Sequence, residues 1–133
     1  MAAYSDQDEL VRQIELVDPE HVCLVEERAA GELRDRLGTK VTVVSGKPGL
    51  VELARIGSAP IILNAIVGGA GLAATVAALE EGKHLALANK ESLVAAGELV
   101  KQKLTSHGGV IVPVDSEHSA IWQCIMGEER EDI

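Results

Sequence analysis

The sequence predicts an α/β fold in which helices flank a mostly parallel sheet. Short apolar segments typical of strands alternate with segments of helical periodicity along the chain. This alternation favours parallel strands, because each helix carries the chain back to the end of the sheet from which the next strand starts. The segment 61–67 is apolar on both faces, which is typical of a strand that helices cover on both sides.

The first part of the chain predicts three helices and two strands. Leu10, Val11 and Ile14 lie on one face of a helix over residues 7–16, which Asp18–Pro19 ends. The next elements are a strand over 21–26, a helix over 28–38, a strand over 41–45 and a glycine-interrupted helix to about residue 56.

The second part continues the same alternation. It predicts a strand over 61–67, an alanine-rich helix over 71–82, a strand over 84–88, a long helix over 90–107, a strand over 110–114, a helix over 116–126 and a solvated acidic segment over 128–132.

The composition argues against several classes of function. The chain has 133 residues, 47% of them hydrophobic, and a formal net charge of −9, so we expect one ordinary domain. The negative charge argues against nucleic acid and anionic membranes as partners. Cys23 and Cys124 lack metal-binding spacing, so we expect reduced thiols. We find neither a signal-peptide pattern nor an apolar run of membrane-spanning length, so we expect a cytoplasmic protein.

The predicted topology places a binding site before any motif is considered. In open α/β sheets, ligands bind outside the carboxyl ends of the strands. Three such ends are followed by unusual residues, in the segments 68–71, 89–91 and 115–118. If the strands are parallel, these three segments lie along one edge of the sheet.

The glycine-rich segment allows two interpretations. It fits the dinucleotide pattern as Gly69-x-Gly71-x-x-Ala74 and lies between a predicted strand and a predicted helix, so it could hold a pyrophosphate. The same residues are more typical of a tight turn in which strand and helix pack closely. A single match of this kind is weak, and both interpretations stay open.

Lys90 is placed where a helix disfavours it. Asn89 is a good N-cap, and Lys90 follows it directly. The N-terminus of a helix carries a partial positive charge, so a lysine there is unfavourable. This position favours a lysine that faces a ligand over one that is merely tolerated on the surface.

Asp115 and Glu117 form the sharpest local signal. They lie two residues apart at a predicted strand-to-helix junction. Paired carboxylates suit a hard cation such as Mg²⁺ or Mn²⁺. Acidic residues also favour the first turn of a helix for electrostatic reasons alone, so the spacing by itself leaves the two explanations level.

Two longer strings carry a resemblance to a known family. The strings "LANKESLV" and "PVDSEHSAIWQ" closely resemble 1-deoxy-D-xylulose 5-phosphate reductoisomerase, and the likeness is strongest over residues 64–123. The resemblance implies an NADPH- and divalent-metal-dependent enzyme of the non-mevalonate isoprenoid pathway. Such an enzyme rearranges and reduces 1-deoxy-D-xylulose 5-phosphate to 2-C-methyl-D-erythritol 4-phosphate.

The resemblance also implies roles for single residues in the first string. Asn89 and Glu91 match positions that contact the cofactor NADPH. Lys90 matches a catalytic lysine that holds the substrate, which would explain its place at the helix start.

In the second string, the resemblance implies a metal and substrate site. Asp115 and Glu117 match catalytic carboxylates that bind Mg²⁺ or Mn²⁺. Ser116 matches a substrate-binding serine, and Glu117 matches a position that also contacts substrate.

The resemblance finally implies how much of the enzyme is present. Residues 1–133 are expected to form a single partial domain: 1–110 belong to an NADPH-binding domain, and 111–133 begin the catalytic region. The fold is then Rossmann-like and incomplete at both ends, without the N-terminal glycine-rich loop and the C-terminal catalytic and helical regions.

Further expectations concern the assembly and its alternatives. We expect the isolated chain to be inactive, the complete enzyme to be a homodimer acting on a small phosphosugar, and its location to be the cytoplasm, or the plastid in a plant. Two other functions stay open. One is a different Rossmann-type NAD(P)-dependent oxidoreductase, and the other is a non-catalytic binding domain.

Overall fold

A computed structural model describes residues 1–56, 59–129, 131 and 133 of the chain. The chain divides into two compact units, Met1–Gly57 and Ser58–Ile133. Each unit holds a three-stranded parallel sheet with helices, so the predicted α/β class is confirmed. The predicted boundary at residue 110 falls inside the second unit and stays a prediction.

The first unit alternates strands and helices in the predicted order. Its elements are β1 (Ala2–Ala3), α1 (Gln7–Val17), β2 (His21–Leu24), α2 (Glu27–Leu37), β3 (Thr42–Ser45) and α3 (Gly46–Arg55). The strand order is β1-β2-β3, and both pairs are parallel. The sequence pattern does not predict β1, because two residues are too few to show a period.

Local signals set the bounds of the first helix, and burial of one face holds it in place. The Asp6 side chain accepts a hydrogen bond from the Glu9 amide at the start of α1, and Asp18 ends the helix in a left-handed conformation. Leu10, Val11 and Ile14 face inward as their spacing predicts. They join a core that also contains Val22, Leu24, Ala29, Ala30, Leu33, Val41 and Val43.

The second unit carries the three segments predicted to lie at one sheet edge. Its elements are β4 (Ile61–Asn64), a short 3₁₀ helix (Gly68–Gly71), α4 (Leu72–Glu80), β5 (His84–Leu87), α5 (Lys90–His107), β6 (Ile111–Pro113) and α6 (Ser116–Ile125). The strand order is β4-β5-β6, again all parallel. Of the predicted acidic segment 128–132, residues 130 and 132 lie outside the described residues.

The register of this sheet confirms the predicted edge. Asn64 pairs with Leu87, and Leu87 pairs with Pro113, so the last residues of the three strands are neighbours. The chain leaves β4, β5 and β6 at the same side of the sheet. The segments 68–71, 89–91 and 115–118 therefore follow the carboxyl ends of adjacent strands.

The prediction that the strand at 61–67 is buried on both faces is wrong. The strand stops at Asn64, and Ile61 and Leu63 are 59% and 66% exposed. The strand β4 lies at the edge of its sheet, whereas the central β5 buries Leu85 and Leu87. Apolar composition alone does not distinguish an edge strand from a central one.

In the part of the chain that the structure describes, no helix has both the length and the apolar character needed to cross a membrane.

Candidate functional site

Asn89, which follows β5 and caps α5, organises the turn that carries Lys90. Its side chain is buried and caps α5 by accepting hydrogen bonds from the backbone amide of Ser92 at 3.2 Å and from the Ser92 hydroxyl. Its amide group donates to the carbonyls of Ile66 and Gly68 and to Glu91 Oε2, the last two at 2.8 and 3.2 Å. The described contacts therefore give this side chain a role in holding two loops together.

Asn64 at the end of β4 is a second buried asparagine, and sequence reasoning did not single it out. Its side chain donates to the Gly71 carbonyl at 2.9 Å and to Thr75 Oγ1 at 2.8 Å, and accepts from the Ile66 amide at 3.1 Å. Asn64 is 3% exposed. The available signal was an amide side chain that interrupts an apolar strand directly before a loop.

Lys90 reaches from the first turn of α5 to the first turn of α6. Its ammonium nitrogen lies 2.8 Å from Glu117 Oε1. Each group shifts the other: the hydrogen bond from Lys90 lowers the pKa of Glu117, and Glu117 raises the pKa of Lys90. This contact shows how the helix start tolerates a cation, because a carboxylate from the neighbouring turn neutralises it.

Asp115 is held by the helix that it begins. Its Oδ1 accepts the backbone amide of His118 at 2.9 Å, and His118 Nδ1 lies 2.8 Å from the same oxygen. The backbone hydrogen bond is the main cause that lowers the pKa of Asp115, and the charge of Lys90 adds to it. Ser116 donates its hydroxyl to Glu117 Oε2 at 3.1 Å. The carboxyl groups of Asp115 and Glu117 are therefore ionised at neutral pH.

The structure thus brings Lys90, Asp115, Ser116 and Glu117 to one edge of the sheet. Beside them is a small cavity of about 190 Å³ with an apolar lining, formed by Leu87, Leu93, Ile111, Pro113, Asp115 and His118. Among the described residues, no three His, Cys, Asp or Glu side chains are grouped closely enough to hold a metal ion. A cation bound by Asp115 and Glu117 would therefore need ligands from elsewhere.

The two glycines of the dinucleotide-like pattern have different surroundings. A Cβ on Gly71 would lie 3.0 Å from both amide atoms of Asn64 and 3.1 Å from Asn89 Cγ, whereas a Cβ on Gly69 would meet nothing within 4 Å. Close packing of two asparagines explains Gly71 without a ligand. This contact supports the tight-turn interpretation, and a pyrophosphate role for the segment stays a prediction.

The fold and this edge define a class of protein: a Rossmann-like α/β chain with a lysine and a carboxylate pair after the carboxyl ends of its parallel strands. The family model for 1-deoxy-D-xylulose 5-phosphate reductoisomerase matches residues 1–97. The chain belongs to this family. The alternative of an unrelated NAD(P)-dependent oxidoreductase is therefore not favoured.

Curated relatives carry the same name. The 1-deoxy-D-xylulose 5-phosphate reductoisomerase of Thermodesulfovibrio yellowstonii is 45% identical over 127 residues, which are 96% of this chain and 33% of the relative. That of Chloroherpeton thalassium is 42% identical over 134 residues, which are 100% of this chain and 35% of the relative. The chain therefore spans about a third of the length of the relatives that it matches.

Solved structures agree with this assignment. A DOX-P reductoisomerase in complex with NADPH, fosmidomycin and magnesium superposes with a TM-score of 0.87 at 39% identity, covering 92% of this chain and 31% of the other. The Zymomonas mobilis reductoisomerase in complex with NADPH gives a TM-score of 0.86 at 39% identity, covering 92% and 32%. These neighbours bind a nicotinamide cofactor, and the first also binds a divalent metal.

Proposed function

We propose that this chain supplies part of the cofactor, metal and substrate sites of a 1-deoxy-D-xylulose 5-phosphate reductoisomerase. The complete enzyme would convert 1-deoxy-D-xylulose 5-phosphate to 2-C-methyl-D-erythritol 4-phosphate with NADPH and a divalent metal. The observation that carries the proposal is the contact between Lys90 and Glu117 at 2.8 Å. This contact joins the two strings on which the resemblance depends, although 27 residues separate them.

Asp115 and Glu117 would hold the divalent metal, and their donor chemistry fits it. Both are carboxylates with lowered pKa values, and oxygen ligands are those that Mg²⁺ and Mn²⁺ prefer. When bound, the metal supplies Lewis-acid polarisation of the substrate's carbonyl and hydroxyl oxygens. The hydrogen bonds from His118 keep Asp115 ionised and fix its direction.

Lys90 and Ser116 would bind the phosphosugar beside these carboxylates. The Lys90 side chain is 42% exposed, so its ammonium can donate to a substrate oxygen while it stays close to Glu117. The Ser116 hydroxyl lies on the same helix turn and donates to Glu117, so rotation about its C–O bond can redirect the proton donor to substrate. Together they provide a positive charge and a neutral donor for an oxygen-rich ligand.

Glu91 and Asn89 would contribute to the NADPH site. The Glu91 side chain is exposed and accepts a hydrogen bond from Asn89, so it offers an acceptor for the hydroxyl or amide groups of a nucleotide. Asn89 holds Glu91 in place, so its contribution is to orient that acceptor. When bound, NADPH supplies the hydride for the reduction. Residues 1–110 would then be part of the NADPH-binding domain, and 111–133 would begin the catalytic region.

The proposal extends to the assembly and its location. The 133 residues alone contain two of the metal's carboxylate ligands, so we infer that the isolated chain does not turn over substrate. The complete enzyme would be a homodimer. It would act in the cytoplasm, or in the plastid of a plant.

The test uses a hybrid enzyme and the lysine that joins the two strings. This chain replaces the matching segment of the Thermodesulfovibrio yellowstonii reductoisomerase, and NADPH consumption with 1-deoxy-D-xylulose 5-phosphate is measured. The hybrid is expected to be active. Lys90→Ala should lower kcat/KM by about 30-fold or more, because loss of an oriented charged hydrogen bond costs ~2 kcal/mol or more.

Lys101 provides the matched control. It lies exposed on the same helix, so Lys101→Ala should leave kcat/KM within about twofold. An inactive hybrid that folds would contradict the proposed function. Equal kinetics for the two lysine variants would remove Lys90 from the site.

A further inference from the structure

The two buried asparagines of the second unit form one hydrogen-bonded network. Asn64 is the last residue of β4, and Asn89 follows β5 as the N-cap of α5. They are 3% and 2% exposed. Between them lies Ile66: its amide donates to Asn64 Oδ1, and its carbonyl accepts from the Asn89 amide group. The peptide groups on both sides of Ile66 are therefore held by side chains from the end of β4 and from the start of α5.

The main chain of Asn64 makes a second connection to the same turn. Its carbonyl oxygen accepts the amide of Ala88 at 2.9 Å and the amide of Asn89 at 3.1 Å. The end of β4 therefore fixes the backbone immediately before Lys90. Since Lys90 is the first residue of α5, the direction in which its side chain leaves the helix depends on this backbone.

Thr75 completes the network from the other side. Its hydroxyl is buried and accepts a hydrogen bond from the Asn64 amide at 2.8 Å. The second proton of that amide goes to the Gly71 carbonyl at 2.9 Å. The three bonds to α4, to the 3₁₀ helix and to Ile66 define the orientation of the Asn64 side chain, because both its donors and its acceptor have fixed partners.

We propose that Asn64 is a positioning residue that acts through Ile66 and the Asn89 turn to hold Lys90 opposite Glu117. The inference goes beyond the proposed function by assigning a role to a residue that no part of the resemblance assigns, and it rests on the proposed function for the importance of Lys90. Because Asn64 is buried, its proposed role is exerted through the turn and not through contact with substrate. The hydrogen bonds of the Asn64 side chain restrict the loop to one conformation.

The first measurement is amide hydrogen exchange on the 133-residue chain by NMR. Asn64→Leu keeps approximately the side-chain size and removes all three side-chain bonds. The amide of Ile66 should then exchange about tenfold faster or more, because its acceptor is lost. The amide of Leu85, which donates to Val110 at 2.8 Å in the same sheet, serves as the reference and should change much less.

The second measurement reports on the site directly. In the wild-type chain, nuclear Overhauser contacts between the Lys90 and Glu117 side chains should be present. In Asn64→Leu they should weaken or vanish while the spectrum stays dispersed. A purely structural role would instead speed exchange equally at Ile66 and Leu85 and leave the contact in the molecules that remain folded.

Thr75 variants perturb the same hydrogen-bonded network and can be measured if Asn64→Leu does not fold. Thr75→Val has nearly the same shape but lacks the acceptor, so it should speed exchange at Ile66 by about threefold and weaken the Lys90–Glu117 contact. Thr75→Ser retains the hydroxyl, so the exchange rate of the Ile66 amide and the Lys90–Glu117 contact should stay close to those of the wild-type chain. Unchanged exchange and contact in Thr75→Val, or a Thr75→Ser variant indistinguishable from it, would overturn the proposal. Because these readouts need no cofactor, metal or substrate, their failure is distinguishable from an inactive hybrid enzyme.

Discussion

Substitution of Gly71 by alanine tests the packing on which the site depends. The added Cβ would lie 3.0 Å from Asn64 Nδ2 and Oδ1 and 3.1 Å from Asn89 Cγ, whereas comfortable carbon contacts begin near ~3.5 Å. Both asparagines are held by hydrogen bonds on several sides, so neither can move aside freely. Overpacking of this kind costs ~1–3 kcal/mol.

An opposing effect reduces the net change. Alanine restricts the unfolded chain more than glycine does, which stabilises by ~0.4–1 kcal/mol where the backbone is compatible. The backbone of Gly71 has φ −78° and ψ −16°, which alanine adopts readily. We therefore expect Gly71→Ala to lower the free energy of unfolding by ~1–2 kcal/mol, which is the overpacking cost less the gain from the unfolded chain.

Gly69 offers the matched control two residues away. Its φ is not in the left-handed region, and a Cβ there meets nothing within 4 Å, so Gly69→Ala should be neutral or stabilising by up to ~1 kcal/mol. Urea unfolding followed by the fluorescence of Trp122, the only tryptophan and a residue of the same unit, measures both variants. Equal midpoints would refute the packing argument. A Gly69→Ala variant that loses NADPH affinity without losing stability would favour the pyrophosphate interpretation.

Three further outcomes follow from the same structure. Mn²⁺ should bind the isolated chain with a dissociation constant of roughly 10⁻⁴–10⁻³ M in a calorimetric titration, and Asp115→Asn/Glu117→Gln should abolish this binding; submicromolar affinity would contradict an incomplete ligand set. A thiol reagent should modify exposed Cys124 rapidly and Cys23 slowly, because burial raises the pKa of the Cys23 thiol and blocks access to it; equal rates in the folded chain would contradict the buried position. The pKa of Glu9 is lowered from 4.5 to about 2, mainly by its hydrogen bond from Arg12, so the contribution of Glu9 to the free energy of unfolding is present above pH 4.5 and is lost as the pH falls toward 2. Glu9→Gln should therefore flatten the decrease of the free energy of unfolding at acid pH. An unchanged decrease would show that the exposed Glu9–Arg12 pair does not stabilise the fold.

Local sequence signals determined most of the elements. The bounds predicted for α5, Lys90–His107, are those of the structure, because an asparagine cap and a C-terminal glycine mark both ends. The sequence did not predict the kink inside this helix, where Ala96 has the non-helical angles φ −145° and ψ 34°. The alternation of strands and helices determined that the strands are parallel, and hence that Lys90 and Asp115 lie at the same sheet edge. These are properties of short windows of sequence, where the period of apolar residues and the caps decide the outcome.

The tertiary structure determined which side chains are in contact at that edge of the sheet. The partner of Lys90 is 27 residues away. Asn64 joins Gly71, Thr75 and the turn at Asn89 through bonds that no local pattern contains. It also decided that the apolar strand β4 leaves Ile61 and Leu63 exposed. The reason is that side-chain hydrogen bonds and burial depend on distances across the sheet. Those distances are set by strand order and register, which one strand's sequence does not encode.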